Sequence, residues 1–204
     1  MTEIKKFASP DINPGGLTWN GKYLVLGGAA TEIISTLNRK GEQVKAVDTH
    51  PVPYDPGSYA FDGKYSLTNN QVGTSVDLVD GDFNKKKTFT EPGTHTMGGA
   101  YDGKYFIICD DETNKVYFLD RAGTIIRTID SPVSAPTGVE WDGKYLNIAS
   151  ETSDIYVIDR AGSVVKTFSP PNGANLVSLA HDGKYFWAGK GLAFPPIVYC
   201  FDRA

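Results

Sequence analysis

Glu140 and His181 are the side chains of this sequence best suited to moving a proton, and both are exceptions within a repeated pattern. At the positions equivalent to Glu140 the chain has Thr18, Ala60, Ala100 and Ala180, and at those equivalent to His181 it has Trp19, Phe61, Tyr101 and Trp141. One carboxylate among small residues and one imidazole among flat rings could form a general acid–base pair. The same letters also suit a water-solvated carboxylate and a histidine that packs as another ring. Successive residues of a strand alternate faces, so the two meet only if Glu140 points toward the unit after its own and His181 points back. Metal chemistry has weaker support. Asp110, Asp111 and Glu112 offer hard oxygens without the spacing of a calcium loop, and His50, His95 and His181 fall in three different units. There is no Gly-x-Ser-x-Gly elbow and no phosphate loop, so neither cofactor nor metal is expected.

The element that must position these residues is itself repeated. Asn20-Gly21-Lys22-Tyr23 returns as Asp62-Gly63-Lys64-Tyr65, Asp102-Gly103-Lys104-Tyr105, Asp142-Gly143-Lys144-Tyr145 and Asp182-Gly183-Lys184-Tyr185, with glycines 42, 40, 40 and 40 residues apart in a chain of 204. Each copy carries four short apolar runs, the fourth copy reading Gly138-Val139-Glu140-Trp141, Tyr145-Leu146-Asn147-Ile148, Ile155-Tyr156-Val157-Ile158 and Val164-Val165-Lys166-Thr167-Phe168. Asp-Gly between such runs predicts a two-residue type I′ hairpin with positive φ at both central residues. Four strands per unit of about 40 residues is the blade of a propeller. The expected fold is therefore all-β: a five-bladed β-propeller over residues 1–204, one domain, four antiparallel strands per blade.

The fifth unit ends at Asp202-Arg203-Ala204, before a fourth strand. Read circularly, Ile4-Lys5-Lys6-Phe7 matches Val165-Lys166-Thr167-Phe168, so the N-terminal strand is expected to close the C-terminal blade, with Ile4 and Phe7 buried. This register gives every outer strand a cation at one position, Lys5, Lys45, Lys87, Arg127 and Lys166, expected to guard the sheet edges. The turn lysines Lys22, Lys64, Lys104, Lys144 and Lys184 read as solvated. A net charge of −4 gives no reason to expect nucleic acid or an anionic membrane as partner. No signal-peptide core is visible, which predicts a cytoplasmic, monomeric protein, with Cys109 and Cys200 in separate blades as free thiols.

The aromatic-Asp-Gly-Lys-Tyr-apolar unit, followed by a strand ending in Asp-Arg-Ala-Gly, resembles the blade repeat of the NHL and glutaminyl-cyclotransferase-like β-propellers along the whole chain. The resemblance implies the fold. The plant-type cyclotransferases place a catalytic Glu in a Phe-Thr-Glu-Gly-Leu type segment entering an inner strand. Here those segments read Asn13-Pro14-Gly15-Gly16-Leu17, Asp55-Pro56-Gly57-Ser58-Tyr59, Thr96-Met97-Gly98-Gly99-Ala100, Ala135-Pro136-Thr137-Gly138-Val139 and Asn175-Leu176-Val177-Ser178-Leu179. None contains the Glu, so the catalytic residue does not carry over.

Positions shared by all blades are explained by folding, so function is sought where blades differ. They differ on the face opposite the Asp-Gly turns, the upper face. There the strand-entry loops carry Asp11, Asn13, Tyr54, Asp55, His95 and Asn175, and the other loops carry Asp110, Asp111, Glu112 and Glu151. The sequence therefore predicts a non-enzymatic binding propeller whose upper face takes a protein partner or a small polar ligand such as a sugar. Asp11, Asn13, Tyr54, Asp55, His95, Glu140 and Asn175 are its expected contacts. The alternative is a hydrolase or lyase using Glu140, with His181, at the central channel.

Overall fold

The structure is a computed structural model and describes residues 2–28, 30–49, 59–69, 74–151, 154–170, 173, 175–191 and 195–202. Its strands form five sheets of four. The N-terminal β1 (Thr2–Ala8) precedes blade 1, made of β2 (Pro14–Trp19), β3 (Leu24–Gly28), β4 (Ile33–Leu37) and β5 (Gln43–Asp48). Blade 2 is β6 (Tyr59–Phe61), β7 (Ser66–Asn69), β8 (Ser75–Val79) and β9 (Lys85–Thr90). Blade 3 is β10 (Thr96–Tyr101), β11 (Phe106–Asp110), β12 (Lys115–Leu119) and β13 (Ile125–Asp130). Blade 4 is β14 (Pro136–Trp141), β15 (Leu146–Ser150), β16 (Ile155–Ile158) and β17 (Val164–Phe168). In blade 5, β18 (Leu176–His181), β19 (Phe186–Lys190) and β20 (Ile197–Asp202) are completed by β1, antiparallel to β20. The five-bladed propeller closed by its N-terminal strand is thus the observed fold.

Blades stack face to face, so the middle strands are buried on both sides and lose the polar alternation of a half-exposed sheet. The core is divided into five clusters, one per seam between blades. Near the axis the inner strands approach so closely that a Cβ on Gly98 would lie 2.5 Å from the Gly138 Cα of the next blade.

Every outer strand slips its pairing by one residue just before the repeated cation. Leu37 faces Gln43 but Thr36 faces Lys45, Ile158 faces Val164 but Val157 faces Lys166, and Phe201 faces Glu3 but Cys200 faces Lys5. The same one-residue slip in β1 fixes the circular register. It also corrects one expectation, because Ile4 is the extra residue of the bulge and is 46% exposed. Phe7, partly buried, packs against Trp187 at 6.1 Å between ring centroids.

The outer cations do more than guard an edge, since three of them reach the next blade. Lys5 donates to the Arg39 carbonyl, Lys45 to the Gly81 carbonyl and to Asp82, and Lys87 to the Ala122 carbonyl at 3.1 Å. Arg127 and Lys166 lie over Phe118 and Phe168.

The Asp-Gly hairpins also differ from expectation. Positive φ falls on the glycine alone (+94° at Gly63) and the Asp stands before the turn, so this is not a type I′ turn. The Asp62 carboxylate accepts from the backbone N–H of Lys64 and Tyr65 at 2.9 and 2.7 Å. This Asx turn explains the Asp or Asn as well as the Gly. Each turn lysine lies over the following tyrosine, 4.7 to 4.9 Å from the ring centroid.

The second oxygen of the hairpin aspartate faces the following blade. Arg39 reaches Asp182 at 2.8 Å, Arg121 reaches Asp62 at 2.9 Å, and Arg160 reaches Asp102 at 2.8 Å. The three Asp side chains are fully buried, and Arg39 and Arg160 stack on Trp19 and Trp141 of their own blades at 4.6 Å. Burial opposes ionisation of Asp182. The backbone N–H groups of Tyr185 and Lys184, with Trp187 and Arg39, outweigh it and hold the carboxyl below its usual range.

Candidate functional site

A cavity of about 350 Å³ opens on the upper face at the seam between blades 3 and 4. His95, in the loop entering β10, and Asp111, just after β11, form one wall. Met97, Ala135, Thr137, Ser150 and Glu151 complete it. His95, Asp111, Ala135 and Glu151 come from two entry loops and two second-to-third-strand loops, and Met97, Thr137 and Ser150 from the strand ends beside them.

Local structure explains why His95 and Asp111 meet. Asp110 is fully buried, and its carboxylate accepts from the backbone N–H groups of Thr94 and His95 at 2.7 Å and of Thr113 at 2.6 Å. That carboxylate ties the entry loop to the next loop. Asp111, one residue on, turns the other way and its Oδ1 lies 2.7 Å from His95 Nδ1. The backbone N–H of Asp111 also donates to the His95 carbonyl at 3.2 Å. Burial opposes protonation of His95, but Asp111, aided by Glu112 and Glu91, outweighs it and raises the imidazole above its ordinary value. With Nδ1 committed to Asp111, Nε2 is the ring nitrogen left to face a ligand.

The opposite rim is held by two residues in the left-handed region, Asn114 at φ 54° and Ala135 at φ 47°. The Asn114 side chain accepts from the Ala135 N–H at 2.7 Å, which holds an alanine where glycine is usual. Thr137 Oγ1 donates to the Leu176 carbonyl of blade 5, tying the rim to a third blade.

The other expected site residues lie elsewhere. Asp11 is buried, with Oδ1 accepting from the Asn13 N–H at 2.7 Å in its own loop and Oδ2 accepting from Thr31 Oγ1, which ties that loop to the one between β3 and β4. Asn13 is partly buried and Asn175 exposed, each at the entry of its own blade. Tyr54 and Asp55 lie outside the described residues, as does His50.

Glu140 is away from the cavity. Val139 belongs to the cluster between blades 3 and 4, so Glu140 faces blade 5. Three residues along the strand, about 10 Å, separate it from Thr137. It is 8% exposed and accepts from the Trp141 N–H at 2.9 Å. Burial, with a smaller push from Asp142, raises its carboxyl well above the usual range. Leu179 packs on Ala149 and Ile155 of blade 4, so His181, two residues on, faces the same seam, and its ring lies 4.6 Å from that of Phe186. Glu140 and His181 therefore share a seam. The influences on the Glu140 proton are burial, the Trp141 N–H and Asp142, not an imidazole.

Cys109 and Cys200 are free and buried. Burial first of all raises both thiols, Cys200 to about 11, so neither is a reactive thiolate.

Fold and cavity together define a five-bladed propeller with a polar pocket on its variable face. Neither a protein-family model nor a curated protein sequence matches the chain. Among solved structures it is similar to the glutaminyl cyclase of Myxococcus xanthus, with TM-score 0.78 and 15% identity over 98% of this chain and 97% of that one. It is also similar to the hydrazine synthase of Kuenenia stuttgartiensis, with TM-score 0.57 and 20% identity over 93% of this chain and 59% of that one. At these identities the likeness is one of fold.

Proposed function

We propose that this propeller is a binding module and that its cavity between blades 3 and 4 takes a small polar ligand. The observation that carries the reading is the His95–Asp111 pair on the cavity wall, at 2.7 Å, facing Ser150 and Glu151. A donor held in one orientation by a carboxylate, opposite a second carboxylate and a hydroxyl, recognises a ligand bearing both acceptor and donor groups, such as a polyol or an amino acid. A cavity of about 350 Å³ suits a small molecule better than a protein surface. The enzymatic alternative rests on Glu140. Its raised affinity for a proton is what a general acid needs, but it is not among the residues lining the cavity and faces blade 5.

The test is to follow the His95 imidazole resonances by NMR while titrating a panel of monosaccharides and amino acids. A saturable shift at His95 that disappears in His95→Ala and weakens in Glu151→Gln is the expected result. Silence at His95 across the panel, or shifts confined to Lys22, Lys64, Lys104, Lys144 and Lys184, would refute the site.

A further inference from the structure

The five seams are unequal, and we infer that the ring parts first between blades 1 and 2 while the other seams stay closed. Two exchanges coincide there. Where Arg39, Arg121 and Arg160 latch onto the preceding hairpin, blade 2 has Gly81, and the hairpin it would reach carries Asn20, the one asparagine among four aspartates. An aspartate held there without a guanidinium would be an uncompensated charge, so the two halves of the latch are missing together. Second, Gly41 and Gly123 at the left-handed position of the turn receive Phe7 and Phe89 from the preceding outer strand, and Gly162 receives Ile129. Blade 2 instead has Phe83 at φ 63°. The outer-strand residue is the smaller Val47, and the two line an open groove of about 500 Å³.

Among the described residues, Lys45 crosses this seam near the groove, to the Gly81 carbonyl at 3.3 Å and to Asp82 at 2.8 Å, whose carboxylate is 80% exposed. Such a pair holds little. The seam where the chain ends meet has the opposite character, with Arg39 on Asp182, Phe7 beneath Gly41 and against Trp187, and Lys5 on the Arg39 carbonyl. Opening at blades 1 and 2 widens the groove beside Phe83 and leaves the His95 cavity untouched, because that cavity belongs to another seam.

Two native thiols already report on other seams, since Cys109 is buried between blades 3 and 4 and Cys200 between blades 5 and 1. Adding Val25→Cys or Ile34→Cys, in separate chains, places a third between blades 1 and 2, and Val139→Cys is the matching change elsewhere. Reaction with an aromatic disulfide under native conditions then reads the opening of these three seams, with global stability measured by urea on every chain. The thiol at position 25 or 34 is expected to react at least about tenfold faster than those at 109, 139 and 200. The pair Asn20→Asp with Gly81→Arg, which installs the missing latch, is expected to slow it by about tenfold, the size of one charge-assisted hydrogen bond, without changing the others. Either single change is expected to do less than half as much. Equal rates at the three seams probed, or Cys200 reacting first, would overturn the inference, as would a double variant with no effect on position 25 or 34.

Discussion

Replacing Glu140 by Gln isolates one titration inside the molecule. The glutamine keeps an oxygen for the Trp141 N–H, bonded at 2.9 Å, and removes the proton. Burial raises the native carboxyl well above its ordinary value. Below the ordinary carboxylate range both folded and unfolded chains are protonated at this site, and the wild type has its full stability. As pH rises past that range the unfolded chain gives up a proton that the native chain retains. Wild-type stability must then fall with pH until native Glu140 itself ionises. One retained proton gives a slope approaching about 1.4 kcal/mol per pH unit. With an m-value of about 2 kcal/mol/M for a chain of this size, that is about 0.7 M in the urea midpoint per pH unit. The assay is urea unfolding of wild type and Glu140→Gln across acid to mildly alkaline pH, taking the difference so that common titrations cancel. The variant is expected to gain steadily on the wild type as pH rises from the carboxylate range. Parallel curves, or a wild type that gains on the variant with rising pH, would mean that native Glu140 is ionised and held by a positive partner, and the desolvation argument would fail.

Arg160→Ala leaves the buried Asp102 carboxylate without its guanidinium and is expected to cost about 2 kcal/mol in urea unfolding, part of which Asp102→Asn restores in the same chain. Gly98→Ala drives a methyl group into the Gly138 backbone and is expected to cost about 3 kcal/mol or to prevent folding, measured by thermal melting. A circular permutant that joins Ala204 to Met1 and is cut at the Gly103 hairpin should fold. In it Met1→Gly should add about 1 kcal/mol, because the equivalent turn residues Gly41, Gly123 and Gly162 have φ between +84° and +93°. Asp111→Asn should lower the His95 pKa toward its ordinary value, read from the imidazole proton shifts, whereas Glu112→Gln should change it less.

The repeat made the ring legible, because a period of 40 with four apolar runs fits few architectures and the circular match of Lys5 to Lys166 left one place for the N-terminal strand. Turn chemistry was less legible. Asp-Gly signals a hairpin, but whether the Asp is inside the turn or caps it from before depends on φ values that the letters do not contain. The outer cations were read only in part for a related reason: edge protection is a property of one sheet, whereas Lys5, Lys45 and Lys87 also act between sheets. On the candidate site, the variable upper face and His95 were readable, yet its pairing with Asp111 was not. The two sit sixteen residues apart in different loops, and the contact depends on Asp110 turning inward so that Asp111 turns out. Asp11 looked like a ligand contact because its loop is polar, but a short polar loop uses its own carboxylate first. Ile4 looked buried because the repeat matched it to a strand residue, and the bulge that exposes it was invisible in the pattern.

The arginine latches all run the same way around the axis, from the turn of one blade to the hairpin of the blade before it. Blade 3, with Arg121 on Asp62 and Asp102 under Arg160, therefore has a donor edge and an acceptor edge, like a tile with a tongue and a groove. Duplicating blade 3 within the gene adds a blade whose two edges, Arg121 and Asp102, match its new neighbours, and so extends the series without any compensating substitution. A copy of blade 1 or blade 2 brings an Asn20 or a Gly81 to a neighbour that presents the charged half, and starts life with an orphaned ion. A ring of this kind can grow by copying only from one arc of itself.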